Sequence, residues 1–303
     1  EMLRSLVGSE MCIRDRFMDG FFKGDFGQYF TPRPIIEFAV KMTAPEHDWD
    51  VLDTSCGSGG FLLYALDYIR HQATEYYEKG SADHYRYWHD FAEKHLYGIE
   101  INDEIARVAK MNMIVHDDGH TNVISYDALE SIDKIAAHNP GFQKDKFDLI
   151  LTNPPFGARI DKSQKITEAD KFIDEEMIAR YKAKYGVAYE NALKQVNENI
   201  GKSLLSLYDV GSMSGLTEVL FMERCLKLLK KGGRMGMVLP EGVLNTSNLQ
   251  KVREYFEGKA KIILICSIPQ DVFIAAGATV KPSLVFFKRF TCLLYTSPGP
   301  RDS

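Results

Sequence analysis

The chain has 303 residues, of which 45% are hydrophobic and 26% are charged, a composition ordinary for globular proteins. Its formal net charge of −5 gives no overall basic surface, so a nucleic-acid partner would be met by a local patch or through another subunit. No apolar run is long enough to span a membrane, and no secretory signal pattern is recognisable. The five cysteines form no CxxC pair, which predicts neither a metal site nor a disulfide framework and favours a reducing, cytoplasmic compartment.

The two ends of the chain differ from the rest. The apolar residues of 1–16 and 291–303 show no clear periodic pattern that continues into the neighbouring sequence. Both segments resemble translated sequencing-adapter read-through. We therefore expect non-native flanks around a domain at 17–290, with ordinary loose termini as the alternative. On this interpretation the natural protein continues beyond both ends.

Short apolar segments alternate with helical patterns between these flanks. The predicted strands are Asp50–Asp53, Leu96–Glu100, Val123–Asp127, Phe147–Thr152, Gly233–Leu239, Lys261–Ser267 and Ser283–Lys288. Apolar residues at i, i+3 and i+4 predict helices between the first five strands, for example Gly60–Arg70, Glu104–His116 and Thr217–Leu229. This alternation indicates an α/β fold with a mostly parallel sheet and helices on both faces. The last two strands have no helix between them, which predicts antiparallel pairing at one edge.

The stretch 158–214 is highly charged in both signs and partly helical. We interpret it as an insertion, because the strand pattern resumes only at Gly233. Solvated helix is the expected structure, and a role as a DNA-contacting segment or lid is the alternative.

Glycines or acids lie at the carboxyl ends of the first three predicted strands, where sheets of this kind bind their ligands. Gly57, Gly59 and Gly60 predict a tight turn into a helix, whose free amides suit an anion. Glu100 can accept bonds from both hydroxyls of a ribose, and Asp127 can accept from an adenine amine or cap a helix. Glu100 lies much further from the turn than the about 20 residues typical of dinucleotide enzymes, which counts against NAD. Together these residues predict a site for a nucleoside with a charged tail.

The fourth strand ends in Asn153-Pro154-Pro155-Phe156. Prolines cannot donate to a sheet ladder, so the strand must stop there and the turn is stiff. The side-chain carbonyl of Asn153 and the backbone carbonyl of Pro154 then converge as two acceptors. They suit a group with two N–H bonds, namely an amine on an aromatic base or an amide, and Phe156 gives a flat face beside it. The alternative is a turn that only ends the strand.

Seven stretches in this order resemble adenine-N6 DNA methyltransferases that depend on S-adenosylmethionine and have the gamma arrangement of motifs. They are GQYFTPRPI (27–35), DTSCGSGGF (53–61), YGIE (97–100), DAL (127–129), NPPF (153–156), EVLFMERCLKLLKKGGRMGMVLPEGVL (218–244) and GATVKPSLVFF (277–287). Within that class the chain most resembles the modification subunit of type I restriction systems. The family usually has Pro-Ala where this chain has Thr54-Ser55. The resemblance implies a class I methyltransferase fold, Rossmann-like and seven-stranded with one antiparallel edge strand.

The resemblance also implies site residues. Those expected to bind S-adenosylmethionine are Thr31, Asp53, Cys56, Gly57, Ser58, Gly59, Gly60, Glu100, Ile101, Asp127 and Ala128. Those expected to act on the target adenine are Asn153, Pro154, Pro155 and Phe156, with Phe273 as a second aromatic against the base or as a core residue. Thr31 would face the methionine carboxylate, and capping of the helix that follows Pro32 is the competing explanation. Glu100 would bind the ribose, Ile101 would pack on the cofactor adenine, and Asp127 would accept from its amine.

The implied reaction is methyl transfer to the N6 amine of adenine in DNA. The implied partners are DNA, a specificity subunit that reads the sequence, a second modification subunit and a restriction subunit. Two alternatives stay open: methyl transfer to another planar nitrogen, on an RNA base or a protein glutamine, and a non-catalytic cofactor-binding subunit. Phe156 after the prolines and the long insertion favour DNA, and the intact motif 153–156 argues against a non-catalytic role.

Overall fold

The computed structural model describes residues 31–116, 122–161, 163, 165–166, 175–276 and 280–291. The expected flank at 1–16 lies outside the described residues, and so does the flank at 291–303 except for its first residue.

The described chain alternates helices with strands. The strands are β1 (Val51–Asp53), β2 (Leu96–Glu100), β3 (Val123–Ser125), β4 (Phe147–Thr152), β5 (Leu229–Pro240), β6 (Ala260–Ser267) and β7 (Pro282–Arg289). The α-helices are α1 (Arg33–Thr43), α2 (Gly60–Tyr76), α3 (Ala82–His95), α4 (Asp103–Val115), α5 (Ile132–His138), α6 (Glu175–Tyr185), α7 (Val187–Glu198), α8 (Thr217–Leu228), α9 (Glu241–Asn245) and α10 (Gln250–Glu257). Short 3-10 helices span Leu204–Leu207, Asp209–Ser212, Ser247–Leu249 and Gln270–Ala276. Among the described residues, no helix is both long enough and apolar enough to cross a membrane.

The seven strands form one mixed sheet in the order β3-β2-β1-β4-β5-β7-β6. The first five pair in parallel, and β7 runs antiparallel to both β5 and β6. The predicted mostly parallel sheet with antiparallel pairing at one edge is therefore confirmed. The antiparallel strand itself lies one position inside the edge, because the short link after β6 lets the chain turn back and pair between β5 and β6.

Two predicted elements are shorter than the observed ones by several residues. Helix α2 continues to Tyr76, because neither glycine nor proline interrupts the chain after Arg70. Strand β5 begins at Leu229 and contains Gly232 and Gly233, which the prediction placed before or at its start. The register of β4 against β5 shifts beside these glycines, so a bulge accommodates them within the strand.

Alternating side chains of the sheet pack into two buried hydrophobic clusters, one on each face. Leu149 and Leu151 belong to one cluster, and Ile150 between them belongs to the other. The first cluster is covered by apolar residues of α1, α2, α3 and α4, and the second by those of α5, α8 and α10. Such alternation is what a strand buried on both faces requires. The predicted helices on both faces are thus confirmed.

The charged stretch 158–214 divides into two parts. Helices α6 and α7 carry many of its charges, whereas Leu205, Tyr208 and Val210 are buried in the cluster beneath α8. The buried carboxylate of Glu223 accepts from the backbone N–H groups of residues 209 and 210, at 3.0 and 2.9 Å. The expected insertion therefore includes a final segment that belongs to the core, because its apolar residues pack beneath the sheet.

Candidate active site

The carboxyl ends of β3, β2, β1 and β4 meet at one edge of the sheet, because these strands are parallel neighbours. Asp53 ends β1, Glu100 ends β2, and Asn153 follows β4 directly. This edge is where α/β sheets bind their ligands. The structure therefore brings the predicted strand-end residues together.

The glycine turn lies between β1 and α2. Gly57 and Gly59 have φ values of 53° and 88°, a left-handed backbone that favours glycine. A Cβ atom at Gly57 would meet nothing within 4 Å, whereas one at Gly60 would lie 2.9 Å from Ile36 Cδ1 of α1. Helix α2 begins at Gly60 without a side-chain cap. The turn thus has open space at Gly57 and a helix start whose amides suit an anionic group.

Glu100 fastens the glycine turn to the end of β2. Its side chain is 3% exposed, and its two oxygens accept from the backbone N–H groups of Gly57 and Asn102, each at 3.0 Å. A carboxylate oxygen has more than one lone pair, so acceptor capacity remains for hydroxyl groups. Ile101, the next residue, is 66% exposed. A buried acceptor therefore lies beside an exposed apolar side chain.

Asp53 and Cys56 lie buried under the turn. Burial raises the pKa of Asp53 to about 7, with a smaller contribution from the charge of Glu100, while hydrogen bonds from Thr152 and Ser55 oppose the shift. Burial also raises the pKa of the Cys56 thiol well above its usual value, so the thiol stays neutral. Ser58 is buried as well, and its backbone carbonyl accepts from Asn112 Nδ2 at 2.9 Å.

Asp127 lies just beyond β3. Its Oδ1 accepts from the backbone N–H of Leu129 at 2.8 Å, and its pKa is raised by burial. Ser131, and not Asp127, caps helix α5. The capping alternative for Asp127 is therefore wrong, and its contact with a cofactor amine stays a prediction. Ala128 beside it is buried at 3% exposure.

Asn153 carries the most informative side chain at this edge. Its Nδ2 donates to Thr31 Oγ1 at 2.9 Å. Its Oδ1 is buried and has no hydrogen-bond partner within the described residues. A buried acceptor without a partner is rare and costs about 1–3 kcal/mol, so it requires an explanation. The backbone carbonyl of Pro154 likewise receives no hydrogen bond from the described part of the chain. Two acceptors at adjacent residues thus have no partner among the described residues, and their convergence on one amine stays a prediction.

Hydroxyl groups under the turn hold the main chain of Asn153. Ser55 Oγ donates to the Asn153 carbonyl oxygen at 3.2 Å and lies 2.8 Å from Thr152 Oγ1. Thr54 Oγ1 donates to Thr152 Oγ1 at 3.2 Å. Thr54 and Ser55, which stand where the family usually has Pro-Ala, therefore tie the glycine turn to the end of β4. This function of the two residues was missed from the sequence.

The start of α8 holds the other side of the Asn-Pro-Pro-Phe turn. Glu218 is 4% exposed, and its Oε2 accepts from the backbone N–H of Gly157 at 3.2 Å. Thr217 Oγ1 donates to the Pro155 carbonyl oxygen at 3.1 Å. The roles of Thr217 and Glu218 were also missed, although a carboxylate at the start of an apolar helix was a signal for them.

The remaining predicted site residues differ in exposure. Phe156 is half-buried and packs with part of its ring against the cluster on the α1–α4 face. Phe273 is 1% exposed within the same cluster, so burial favours the core role over stacking on a base. Helix α1 begins after Pro32 without a side-chain cap, so the capping explanation for Thr31 is wrong. Among the described residues, the one group spaced to share a metal ion is His89, Asp90 and Glu93 on α3, away from the strand ends.

The model of the N-6 DNA Methylase family matches residues 17–203 and 184–292 of this chain. The chain belongs to this family. The methylase subunit of the type I restriction enzyme EcoEI from Escherichia coli is 23% identical over 267 residues, which are 88% of this chain and 43% of that protein. This N-6 DNA Methylase chain thus spans less than half the length of that relative.

Two solved structures resemble this N-6 DNA Methylase chain. The M protein of the type I restriction enzyme EcoKI is 22% identical with a TM-score of 0.57, over 90% of this chain and 45% of that protein. The methyltransferase subunit of a type I restriction-modification system from Streptococcus thermophilus is 19% identical with a TM-score of 0.53, over 91% and 48%. At this identity the similarity shows a shared fold. The predicted methyltransferase fold and the family resemblance are therefore confirmed.

Proposed function

We propose that the chain transfers a methyl group from S-adenosylmethionine to the N6 amine of adenine in DNA, as the catalytic subunit of a type I restriction-modification system. The observation that carries this proposal is the buried, unpartnered Oδ1 of Asn153 next to the vacant carbonyl of Pro154. An exocyclic amine brings two N–H donors to one point. It would satisfy both acceptors together.

The residues around the glycine turn fit S-adenosylmethionine. Open space at Gly57 admits a ligand close to the backbone, and the start of α2 suits its carboxylate. Glu100 has acceptor capacity for ribose hydroxyls, and Ile101 offers an exposed apolar side chain to a flat base. When bound, the cofactor supplies a methyl group already activated by a sulfonium. Asp53 and Asp127 would complete the site, as the family resemblance implies.

Asn153 and Pro154 would activate the target nitrogen. The lone pair of an adenine amine is delocalised into the ring, so the amine is a poor nucleophile. Two acceptors that hold its hydrogens favour a pyramidal nitrogen with a freer lone pair. Positive charge grows on this nitrogen as the methyl group arrives, and the acceptors therefore bind the transition state more strongly than the ground state. Catalysis is positioning plus electrostatic stabilisation.

The target amine lies inside a DNA duplex, so the base must leave the stack. Flipping costs a few kcal/mol, and stacking on an aromatic ring returns about 1–3 kcal/mol per base. Phe156, which is half-buried and follows Pro154 by two residues, would receive the base. Stiff backbone at Pro154 and Pro155 and the contacts of Glu218 and Thr217 hold this turn in place before the base arrives.

The partners follow from charge and from the relatives. A net charge of −5 supports DNA binding that is shared with another subunit. The relatives are named as methylase subunits of type I restriction enzymes, which supports a specificity subunit, a second copy of this subunit and a restriction subunit as partners. The match to an N-6 DNA Methylase model favours DNA over the alternative of an RNA base or a protein glutamine.

The test compares methyl acceptors directly. Tritium transfer from labelled S-adenosylmethionine is measured in parallel with unmethylated DNA, RNA and protein, in the presence of the cognate specificity subunit. The proposal expects label in DNA, as N6-methyladenine after digestion, and background in the other two. Label in RNA or protein with none in DNA would overturn it. The Asn153→Ala variant is the control for transfer by this site.

A further inference from the structure

Three tyrosines form a cluster on the surface where α2 ends and α3 begins. The ring of Tyr87 on α3 lies 5.9 Å from that of Tyr76 and 5.8 Å from that of Tyr77, measured between ring centroids. Tyr76 is the last residue of α2, about 24 Å along the helix axis from the glycine turn at Gly60. The cluster therefore lies at the far end of α2 from the candidate active site.

The rings of this cluster are held in place but remain open to solvent. His47 stacks on Tyr87 at a centroid distance of 4.3 Å, and the Tyr87 hydroxyl donates to Gln72 Oε1 at 3.1 Å. Tyr76 and Tyr77 are 63% and 40% exposed. Tyrosine offers a large contact area with little loss of side-chain freedom, and interfaces are accordingly rich in it. The cluster is thus suited to contact with another molecule.

Exposed carboxylates flank the members of the cluster in the sequence. They are Glu46, Asp48, Glu75 and Glu78. None of them forms an ion pair with a described residue, whereas Asp83 of α3 pairs with Arg86 at 3.4 Å. Lys79 is the single lysine or arginine among residues 46–48 and 75–79. The three tyrosines and the four carboxylates, which we call the tyrosine surface, therefore carry unbalanced negative charge.

This negative charge acts on the rings themselves. The pKa of Tyr87 is raised to about 12, first by burial and then by its neighbours Tyr76, Tyr77, Asp48 and Glu46. A carboxylate nearby raises the pKa of a tyrosine because its charge opposes the phenolate. Both acids also flank His47, which stacks on the ring of Tyr87. A ligand at the tyrosine surface would therefore meet carboxylates and aromatic faces together.

A guanidinium group matches this combination of carboxylates and rings. It stacks on a tyrosine face through a cation–π contact, and its planar fork donates two hydrogen bonds to a carboxylate. A DNA phosphate would instead be repelled by the four carboxylates. We propose that the tyrosine surface docks an arginine-bearing segment of a protein partner. This inference goes beyond methyl transfer and does not depend on the methyl acceptor.

The probe is a hexa-arginine peptide, compared with hexa-lysine and hexa-glutamine peptides and with a DNA duplex. Binding is followed by the ring signals of ¹³C-labelled tyrosine in the folded chain, assigned with single tyrosine-to-phenylalanine variants. Hexa-arginine should move the signals of Tyr76, Tyr77 and Tyr87 to saturation, and hexa-lysine should bind about threefold more weakly because an ammonium stacks less well on tyrosine. Tyr85 is the internal control, because it is 49% exposed but lies two positions from Tyr87 and so faces another side of α3. Its signal should stay in place.

Paired variants test the two components of the tyrosine surface. Glu46→Gln with Asp48→Asn removes charge, and Tyr76→Ala with Tyr77→Ala removes rings. Each pair should weaken hexa-arginine binding about fivefold or more, while Glu257→Gln, which removes an exposed carboxylate on α10, should change it less than about twofold. The thermal midpoint of each variant should stay within about 2 °C of the parent's, since exposed side chains contribute little to stability. The proposal is overturned if the tyrosine signals do not move with hexa-arginine, if hexa-lysine, hexa-glutamine or DNA moves them equally, or if Glu257→Gln weakens binding as much as the paired variants.

Discussion

Replacing Glu100 by glutamine tests whether one side chain both fastens the glycine turn and binds the cofactor. The carboxylate accepts from the backbone N–H groups of Gly57 and Asn102, one on each oxygen. Glutamine has a single oxygen and an NH₂ group. In Glu100→Gln one of the two backbone donors therefore loses its acceptor and faces another donor. The apparently conservative change removes half of the attachment.

The magnitude follows from these contacts. An unsatisfied buried N–H costs about 1–3 kcal/mol, and the lower half of that range applies because both backbone groups are only partly buried. At about 2–4 °C per kcal/mol for a domain of this size, the thermal midpoint should fall by roughly 2–8 °C. The loosened turn and the lost ribose acceptor should together weaken S-adenosylmethionine binding by about 1–3 kcal/mol, or roughly 5–150-fold.

Thermal unfolding gives the midpoint, and titration calorimetry gives the dissociation constant for S-adenosylmethionine. Glu104→Gln is the matched control, because Glu104 is exposed in the first turn of α4. That variant should stay within about 0.5 kcal/mol of the parent in stability. Glu100→Gln could instead have the same thermal midpoint and the same affinity for S-adenosylmethionine as Glu104→Gln. That result would refute both roles of Glu100, in holding the turn and in binding the cofactor.

Two further predictions concern Asp53 and Glu218. Burial raises the pKa of Asp53 from 3.8 to about 7, so the folded chain holds a proton that the unfolded chain has lost. The stability that this group contributes is therefore complete below about pH 4 and is lost as pH rises through 7. Asp53→Asn should remove this decline, which is measured as the free energy of unfolding by denaturant between pH 5 and 8. Equal dependence of that free energy on pH in parent and variant would contradict the prediction. Glu218→Ala leaves the backbone N–H of Gly157 without its acceptor and should slow methyl transfer about tenfold with cofactor affinity kept within twofold, while Glu218→Gln retains an acceptor and much of the rate. A rate for Glu218→Ala equal to the parent's would show that this contact does not hold the turn.

The mostly parallel sheet and the edge that carries the strand-end residues were predictable from local patterns. Near the ends of the first four strands the sequence changes from apolar residues to a glycine, an acid or a proline. Examples are Gly57 after β1 and Pro154 after β4. Parallel strands bring such ends together without further information. Asn153 and Glu100 could therefore be assigned to one site before any contact was known.

The contacts that orient those side chains were not predictable in the same way. Thr31 and Asn153 are separated by 122 residues, and no local pattern in either segment indicates their hydrogen bond. Ser55 replaces the alanine usual in the family, and the sequence alone suggests that this change has little effect. In the structure its hydroxyl donates to the Asn153 carbonyl oxygen. Phe273 lies in a short segment whose periodicity is uninformative, so only the packed structure shows its burial. Tertiary contacts of polar side chains depend on the assembled sheet.

The most direct test of the central claim is the single-turnover rate of Asn153→Ala on unmethylated DNA, with the specificity subunit present and cofactor affinity measured in parallel. If the vacant Oδ1 exists to hold the target amine, the rate should fall about 10²-fold or more, as for loss of one preorganised polar contact in other enzymes. Affinity for S-adenosylmethionine should change less than twofold, and Asn153→Asp should retain more activity because a carboxylate still accepts. A near-parental rate in Asn153→Ala would contradict the proposed mechanism, and equal losses of rate and cofactor affinity would show that Asn153 only holds the strand end together.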